Sequence, residues 1–227
     1  MNVAIIAAAG QGTRMAGERP KQFIELAGVP ILFHTLRAFE QCDVIHEIIV
    51  VLPALETSTF LSHANKYSLR KLAKVVTGGA TRAESVLHGL QAVGEATAEI
   101  VAVHDGVRPF ITPDEIARTV KAAKLEGAAI LVSSPVDTMK EVRDGLVVKT
   151  LKRADLRNAL TPQCFQYKLL RRAYDEADVT DPDLTDESSL VERLGVRVAT
   201  VEGSARNIKI TQQEDIAVGE AILRDWS

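Results

Sequence analysis

Aromatic residues are scarce in this chain: they make up 4% of it, with a single tryptophan at Trp226. A surface that stacks single-stranded bases needs several exposed aromatics, so that mode of nucleic-acid binding is excluded. Cysteine is nearly as rare. Cys42 and Cys164 stand far apart with no Cys-x-x-Cys pair, which leaves neither a disulfide framework nor a zinc site and suits a reducing compartment, the cytoplasm. None of the five histidines falls in a His-Glu-x-x-His spacing. The opening apolar run, residues 3–9, has no basic leader, is too short to span a bilayer, and reads as a first core strand. Nor is there an excess of positive charge: 27 Lys and Arg face 30 Asp and Glu, a net charge of −3. That balance excludes a general basic surface for nucleic acid. It leaves room for a local basic pocket, because net charge says nothing of where charges sit.

Ala, Val, Leu and Ile supply the apolar bulk instead. At 46% hydrophobic and 25% charged over 227 residues, the chain can bury a sizeable core. Short apolar runs at 3–9, 47–52, 74–77, 99–104 and 128–133 read as buried strands. Between them, 29–41, 57–69, 81–93 and 113–126 carry apolar residues at helical spacing. Thr112 before Pro113, Asp114 and Glu115 is a helix start. Such alternation predicts an α/β fold: a Rossmann-like, doubly wound, mostly parallel sheet with functional residues beyond the C-terminal strand ends. The rhythm breaks at 136–142 and 146–151, two extended segments around Asp144-Gly145, which predict a projecting β-hairpin arm. Helical pattern resumes at 167–177 and 187–194, with a strand at 196–201 and a last helix at 212–223. One domain over 1–227 is expected, with residues 136–152 as an arm within it.

The strongest local signal follows the first strand: Ala7-Ala8-Ala9-Gly10-Gln11-Gly12-Thr13-Arg14-Met15, then Pro20-Lys21-Gln22. Small residues let backbone approach a ligand, successive N–H groups can cradle phosphate, and Arg14 and Lys21 add fixed positive charge. The P-loop pattern is absent, and Met15 stands where a dinucleotide fingerprint needs glycine or alanine. A glycine-rich turn with solvated charges is the plain alternative. His104-Asp105-Gly106-Val107-Arg108-Pro109 closes the fourth strand. There Asp105 can hold Mg²⁺ and Arg108 can clamp a phosphate, or the two can form a salt bridge that organises a turn; His104 reads as structural. Gly78-Gly79-Ala80-Thr81-Arg82-Ala83-Glu84-Ser85 offers close backbone approach for a base or ribose, or simply a turn capped by Thr81. Arg153, the Thr161-Pro162-Gln163 turn, Thr185-Asp186-Glu187 and Asn207-Ile208-Lys209-Ile210-Thr211 are ordinary one by one.

Taken in this order, these segments resemble the 2-C-methyl-D-erythritol 4-phosphate cytidylyltransferases, from the first strand to the last helix. The opening loop alone suggests only the wider nucleotidyltransferase superfamily; the Asp105 to Pro109 segment, Thr161-Pro162-Gln163 and Asn207 to Thr211 supply the specificity. The resemblance implies an enzyme that transfers CMP from CTP to 2-C-methyl-D-erythritol 4-phosphate. It implies catalytic roles for Arg14, Lys21 and Lys209, with Asp105 helping to hold Mg²⁺ or another divalent cation. Ala8, Ala9, Gly10, Gly12, Thr13, Gly79, Arg82, Ser85, Asp105 and Gly106 would meet the nucleotide. Arg108, Thr138, Arg153, Thr161 and Thr185 would hold methylerythritol phosphate. The hairpin matches a family arm that crosses to a second subunit, so a homodimer is expected, with neither nucleic acid nor membrane as partner.

Two departures from the family pattern stand out. Ala80 occupies a position where many relatives have an acidic residue, and Gly106 replaces a more usual alanine, which is expected merely to loosen the turn. A cytidylyltransferase for ribitol 5-phosphate would share the nucleotide half, and Arg153 just upstream of Thr161 favours methylerythritol phosphate. A nucleotide-sensing subunit without turnover would not need Arg14, Lys21, Asp105 and Lys209 together.

Overall fold

The computed structural model describes residues 1–10, 20–95, 97–181 and 183–225. In chain order the first half comprises β1 (Asn2–Ala7), a small antiparallel pair β2 (Glu25–Leu26) and β3 (Val29–Pro30), then α1 (Ile31–Gln41), β4 (Glu47–Leu52), α2 (Thr57–Ala64), β5 (Leu72–Thr77), α3 (Arg82–Gln91), β6 (Ile100–Asp105), α4 (Pro113–Glu126) and β7 (Ala128–Ser133). The second half adds the hairpin β8 (Lys140–Arg143) and β9 (Leu146–Thr150), then β10 (Asn158–Gln166), α5 (Tyr167–Asp175), α6 (Glu187–Arg193), β11 (Ala199–Glu202) and α7 (Glu214–Asp225). A seven-stranded sheet runs in the order β11-β7-β10-β6-β1-β4-β5. All its pairings are parallel except those of β10, which is antiparallel to both neighbours. The predicted mostly parallel α/β sheet is present.

Side-chain alternation along the central strands explains why helices must cover both faces. Ala4 and Ile6 of β1 pack with Phe33, Leu36 and Phe39 of α1, Phe60 of α2 and Ile116 of α4. Val3 and Ile5 face the other way, onto Val86 and Leu90 of α3, Leu170 and Tyr174 of α5, and Leu190 of α6. β1 lies between β4 and β6, where the strand order reverses. In such sheets a crevice forms there, outside the C-terminal strand ends. Helix α4 starts as its sequence predicts: Thr112 accepts the Glu115 N–H while the Glu115 side chain accepts the Thr112 N–H, with Pro113 at the first position.

Three expectations are corrected. The 161–163 segment is no turn; it sits in β10, nine residues long and central to the sheet. Pro162 is tolerated there because the ladder to β7 is broken between Ala159 and Gln163. The second predicted helix stops at Ala64 and gives way to a 3₁₀ turn ending at Ser68, whose φ of 51° is left-handed. The arm pairs about Asp144 and Gly145 as expected, both at positive φ, but its first strand begins at Lys140 and not at 136. The arm leaves Leu146 74% and Val147 62% exposed. Among the described residues, no helix is long and apolar enough to cross a membrane.

Candidate active site

Beyond the ends of β1, β5 and β6 lies a cleft of about 500 Å³. One wall is backbone and small side chains: Ala7 to Gly10 from β1 and Gly79 to Thr81 from the β5–α3 turn. Glycine is required at Gly78, because a Cβ there would collide with the Ala9 Cβ. Ser85 locks this turn, accepting the Gly79 N–H at 3.1 Å and donating to the Thr81 carbonyl at 2.8 Å. The same cleft is lined by the charged side chains of Lys21, Arg82, Asp105 and Lys209, together with Gln22 and Val107.

Asp105 is the centre of this charge. Lys209 Nζ lies 2.9 Å from its Oδ2, Arg82 Nε 3.3 Å from Oδ1 and Arg108 Nε 3.4 Å from Oδ2. Burial alone would raise the Asp105 carboxyl, but Arg82, Lys209 and Arg108 hold it well below the usual carboxylate range. Arg82 is itself clamped from behind by Glu187, at 2.7 and 3.0 Å, and the Tyr174 hydroxyl donates to the same carboxylate at 3.1 Å. Burial opposes the charge on Arg82, yet Glu187 and Asp105 outweigh it and keep the guanidinium charged. The Asp105 carboxylate is therefore an anion surrounded by cations, with Lys209 and Arg82 about a third exposed toward the cleft.

Beneath Asp105 a chain of hydrogen bonds fixes the strand tip. The Asp105 N–H donates to Thr161 Oγ1 at 3.2 Å, and the same hydroxyl lies 2.9 Å from His104 Nδ1. The Arg108 carbonyl can only accept, so His104 Nε2 is the donor to it at 3.2 Å. Burial pulls the pKa of the ring down to about 4, so at neutral pH it is uncharged and its Nδ1 accepts from the Thr161 hydroxyl. Asn207 closes the loop: its Nδ2 donates to the Thr161 carbonyl at 2.9 Å, and its own carbonyl accepts from Arg108 Nη1 at 2.9 Å.

The structure thus brings together Ala8, Ala9, Gly10, Lys21, Gly79, Arg82, Ser85, Asp105 and Lys209 around one cleft. Arg108 lies behind Asp105, with its guanidinium engaged by the Asn207 carbonyl. Thr161 is buried and its hydroxyl is used inside the fold. Gly106 does not loosen its turn: its N–H donates to the Ala7 carbonyl, its carbonyl accepts from Thr35, and an added Cβ would stand 2.8 Å from that of Ala8. Thr138 and Arg153 are exposed near the base of the arm, where Arg153 Nη1 donates to the Val136 carbonyl at 2.7 Å, and Thr185 is exposed before α6. These three do not line the cleft of their own chain. Gly12, Thr13 and Arg14 lie outside the described residues. Tyr174 escapes the sequence reading, and Glu187 figures there only within an ordinary Thr185-Asp186-Glu187 segment, since a buried carboxylate in a helix start looks like any acidic first-turn residue.

A divalent cation would find one ionised carboxylate here, and no cluster of three His, Cys, Asp or Glu occurs among the described residues. That donor set fits a Mg²⁺ ion bound chiefly by substrate phosphate, the habit of a cation that keeps few protein ligands.

The comparisons agree with one another. The family model for 2-C-methyl-D-erythritol 4-phosphate cytidylyltransferase matches residues 2–225. A protein of that name from Clostridium novyi is 44% identical over 226 residues, covering 99% of this chain and 97% of the relative. Another from Syntrophus aciditrophicus is 43% identical over 224 residues, covering 98% and 95%. The crystal structure of 4-diphosphocytidyl-2C-methyl-D-erythritol synthase from Anaerococcus prevotii superposes with a TM-score of 0.87 at 34% identity, covering 98% of both chains. The Thermus thermophilus cytidylyltransferase superposes at 0.78 with 33% identity, covering 97% of this chain and 98% of that one.

Proposed function

The chain belongs to the 2-C-methyl-D-erythritol 4-phosphate cytidylyltransferase family, and from that premise we propose how its residues carry out the transfer. The reaction moves CMP from CTP to 2-C-methyl-D-erythritol 4-phosphate, giving 4-diphosphocytidyl-2-C-methyl-D-erythritol and pyrophosphate, in the non-mevalonate route to isoprenoids. The substrate phosphate attacks the CTP α-phosphorus in line; a new P–O bond forms as the bond to pyrophosphate breaks. A phosphate monoester is already nucleophilic near neutral pH, so the site needs no strong base. Its task is to bring two anions together. Unit charges at ~4 Å repel by about 4 kcal/mol at an effective dielectric of 20, so fixed cations must offset the approach.

The observation that carries this reading is the cation cluster around Asp105 in the same cleft as a lining of small residues and backbone. Lys21 and Arg14 stabilise charge on the transferring and departing phosphates, and Lys209 acts beside the α-phosphate. Ala8, Ala9, Gly10, Gly12, Thr13, Gly79 and Ser85 admit cytosine and ribose, largely through backbone. Arg82 and Gly106 shape the same subsite from the ends of α3 and β6. Asp105 would hold Mg²⁺, which when bound would neutralise phosphate charge. Arg108, Thr161 and Thr185 serve the methylerythritol phosphate side, Thr161 by bracing Asp105 from beneath. Thr138 and Arg153 stand by the arm, whose exposed Leu146 and Val147 invite cover by a second copy. We read the enzyme as a homodimer whose arm delivers these two residues to the partner's site, and place it in the cytoplasm.

Incubation with CTP, Mg²⁺ and either methylerythritol phosphate or ribitol 5-phosphate, with pyrophosphate measured, tests the reading. Release with methylerythritol phosphate is expected. Release with ribitol 5-phosphate alone would overturn the acceptor, and no release with either would overturn the activity.

A further inference from the structure

Gln22 is 1% exposed and forms part of the cleft wall, yet neither its Oε1 nor its Nε2 has a hydrogen-bond partner among the described residues. Its position follows from the 3₁₀ turn Lys21–Phe23, in which the Phe23 N–H donates to the Pro20 carbonyl and the Ile24 N–H to that of Lys21. Three residues per turn send three side chains in three directions. Phe23 is buried in the core beside Leu32 and Phe33, which pins the turn, and Lys21 and Gln22 both lie against the cleft. A buried primary amide with nothing to bond to lowers the stability of the free protein, so native structures keep few of them. Such a group persists where a ligand completes it.

We propose that Gln22 binds the phosphate chain of the nucleotide, its Nε2–H groups donating to non-bridging phosphate oxygens beside Lys21. This rests on the nucleotide reading of the cleft. The amide suits phosphate because it offers two donors at fixed geometry without adding another charge to a wall that already holds Lys21, Arg82, Asp105 and Lys209. A carboxylate of the same shape would repel the ligand. Gln22 is thus a binding residue whose cost appears in the free enzyme and whose return appears only when phosphate arrives.

Gln22→Met keeps length and bulk while removing both donors and the acceptor. Gln22→Glu keeps the shape and adds charge. Melting temperature without ligand, and the affinities of CTP and of cytidine by calorimetry, are to be measured for wild type and both variants. Gln22→Met should melt higher than wild type when free, bind CTP about tenfold more weakly, about 1.4 kcal/mol, and bind cytidine unchanged. Gln22→Glu should bind CTP more weakly still. Wild-type affinity for CTP in Gln22→Met would overturn the proposal, as would an equal loss for cytidine, which would put the amide on the base. A lower melting temperature of free Gln22→Met would also overturn it, because the amide would then be satisfied within the fold. Failure of wild type to bind CTP at all would instead remove the nucleotide reading on which the proposal stands.

Discussion

Lys209 Nζ lies 2.9 Å from Asp105 Oδ2, joining the segment before α7 to the tip of β6 at the mouth of the cleft. Because the Ile210 N–H also donates to the Val107 carbonyl at 2.9 Å, the lysine is held by backbone pairing as well as by charge. Lys209 is thereby held at the cleft, with its charge and that of Asp105 compensating each other.

Removal of the Asp105 charge should be felt twice. In Asp105→Asn, Arg82, Arg108 and Lys209 lose the carboxylate between them. Breaking a buried ion pair costs about 3–5 kcal/mol, but Arg82 and Lys209 are 31% and 36% exposed, so solvent should reduce the loss to about 2 kcal/mol. Urea denaturation measures that. The same variant should need more Mg²⁺ for half-maximal pyrophosphate release; an unchanged Mg²⁺ requirement would remove Asp105 from metal binding.

Lys21→Ala should lower turnover by about 10²–10³, the usual effect of losing one preorganised charge-stabilising donor. Pyrophosphate release at saturating CTP reads the effect. A folded variant with full turnover would show that Lys21 has no part in the transfer.

His104 couples stability to pH. Its folded pKa is about 4 against an ordinary 6.5, so the unfolded chain takes up the proton first. The stability due to neutral His104 is complete above pH 6.5 and is lost as pH falls toward 4, a total of about 3 kcal/mol. Urea unfolding at pH 7 and pH 4.5 should show most of this difference in wild type. His104→Gln should lack it, and equal pH dependence in the two proteins would contradict the neutral-ring assignment.

The proposed homodimer with shared sites can be tested by mixing. Arg14→Ala and Arg153→Ala proteins should each be inactive or nearly so. Heterodimers formed by subunit exchange contain one site with both arginines and should regain activity. Verified heterodimers without recovered activity would place Arg153 outside the partner's site.

Local signals reached far into this protein. Thr112, Pro113 and Glu115 start α4 where their side chains predict, and Asp144-Gly145 turns the arm because both residues adopt positive φ. The apolar runs mark the parallel strands because burial on both faces selects Val, Ile, Leu and Ala. β10 was illegible for the opposite reason. Pro162 looks like a turn until β6 and β7 stand on either side of it, and the irregular pairing with β7 that tolerates it belongs to three strands together.

Among the site residues, the glycine and alanine wall and the cations were visible as residue types, because close approach demands small side chains and phosphate demands positive charge. Their partners were not visible. Glu187 looks like a helix-start carboxylate, and only packing against Arg82 and Tyr174 makes it a buried clamp. Gly106 looks like slack in a turn, and only the Cβ of Ala8 across from it shows that there is no space to fill. The sequence by itself determined the strand–helix alternation, the arm's turn and the kinds of charge available, since these rest on local conformational preference and composition. The tertiary structure decided which charges meet at Asp105, which hydroxyls are spent inside the fold and which amide is left waiting, since those depend on distances between segments that chain order does not encode.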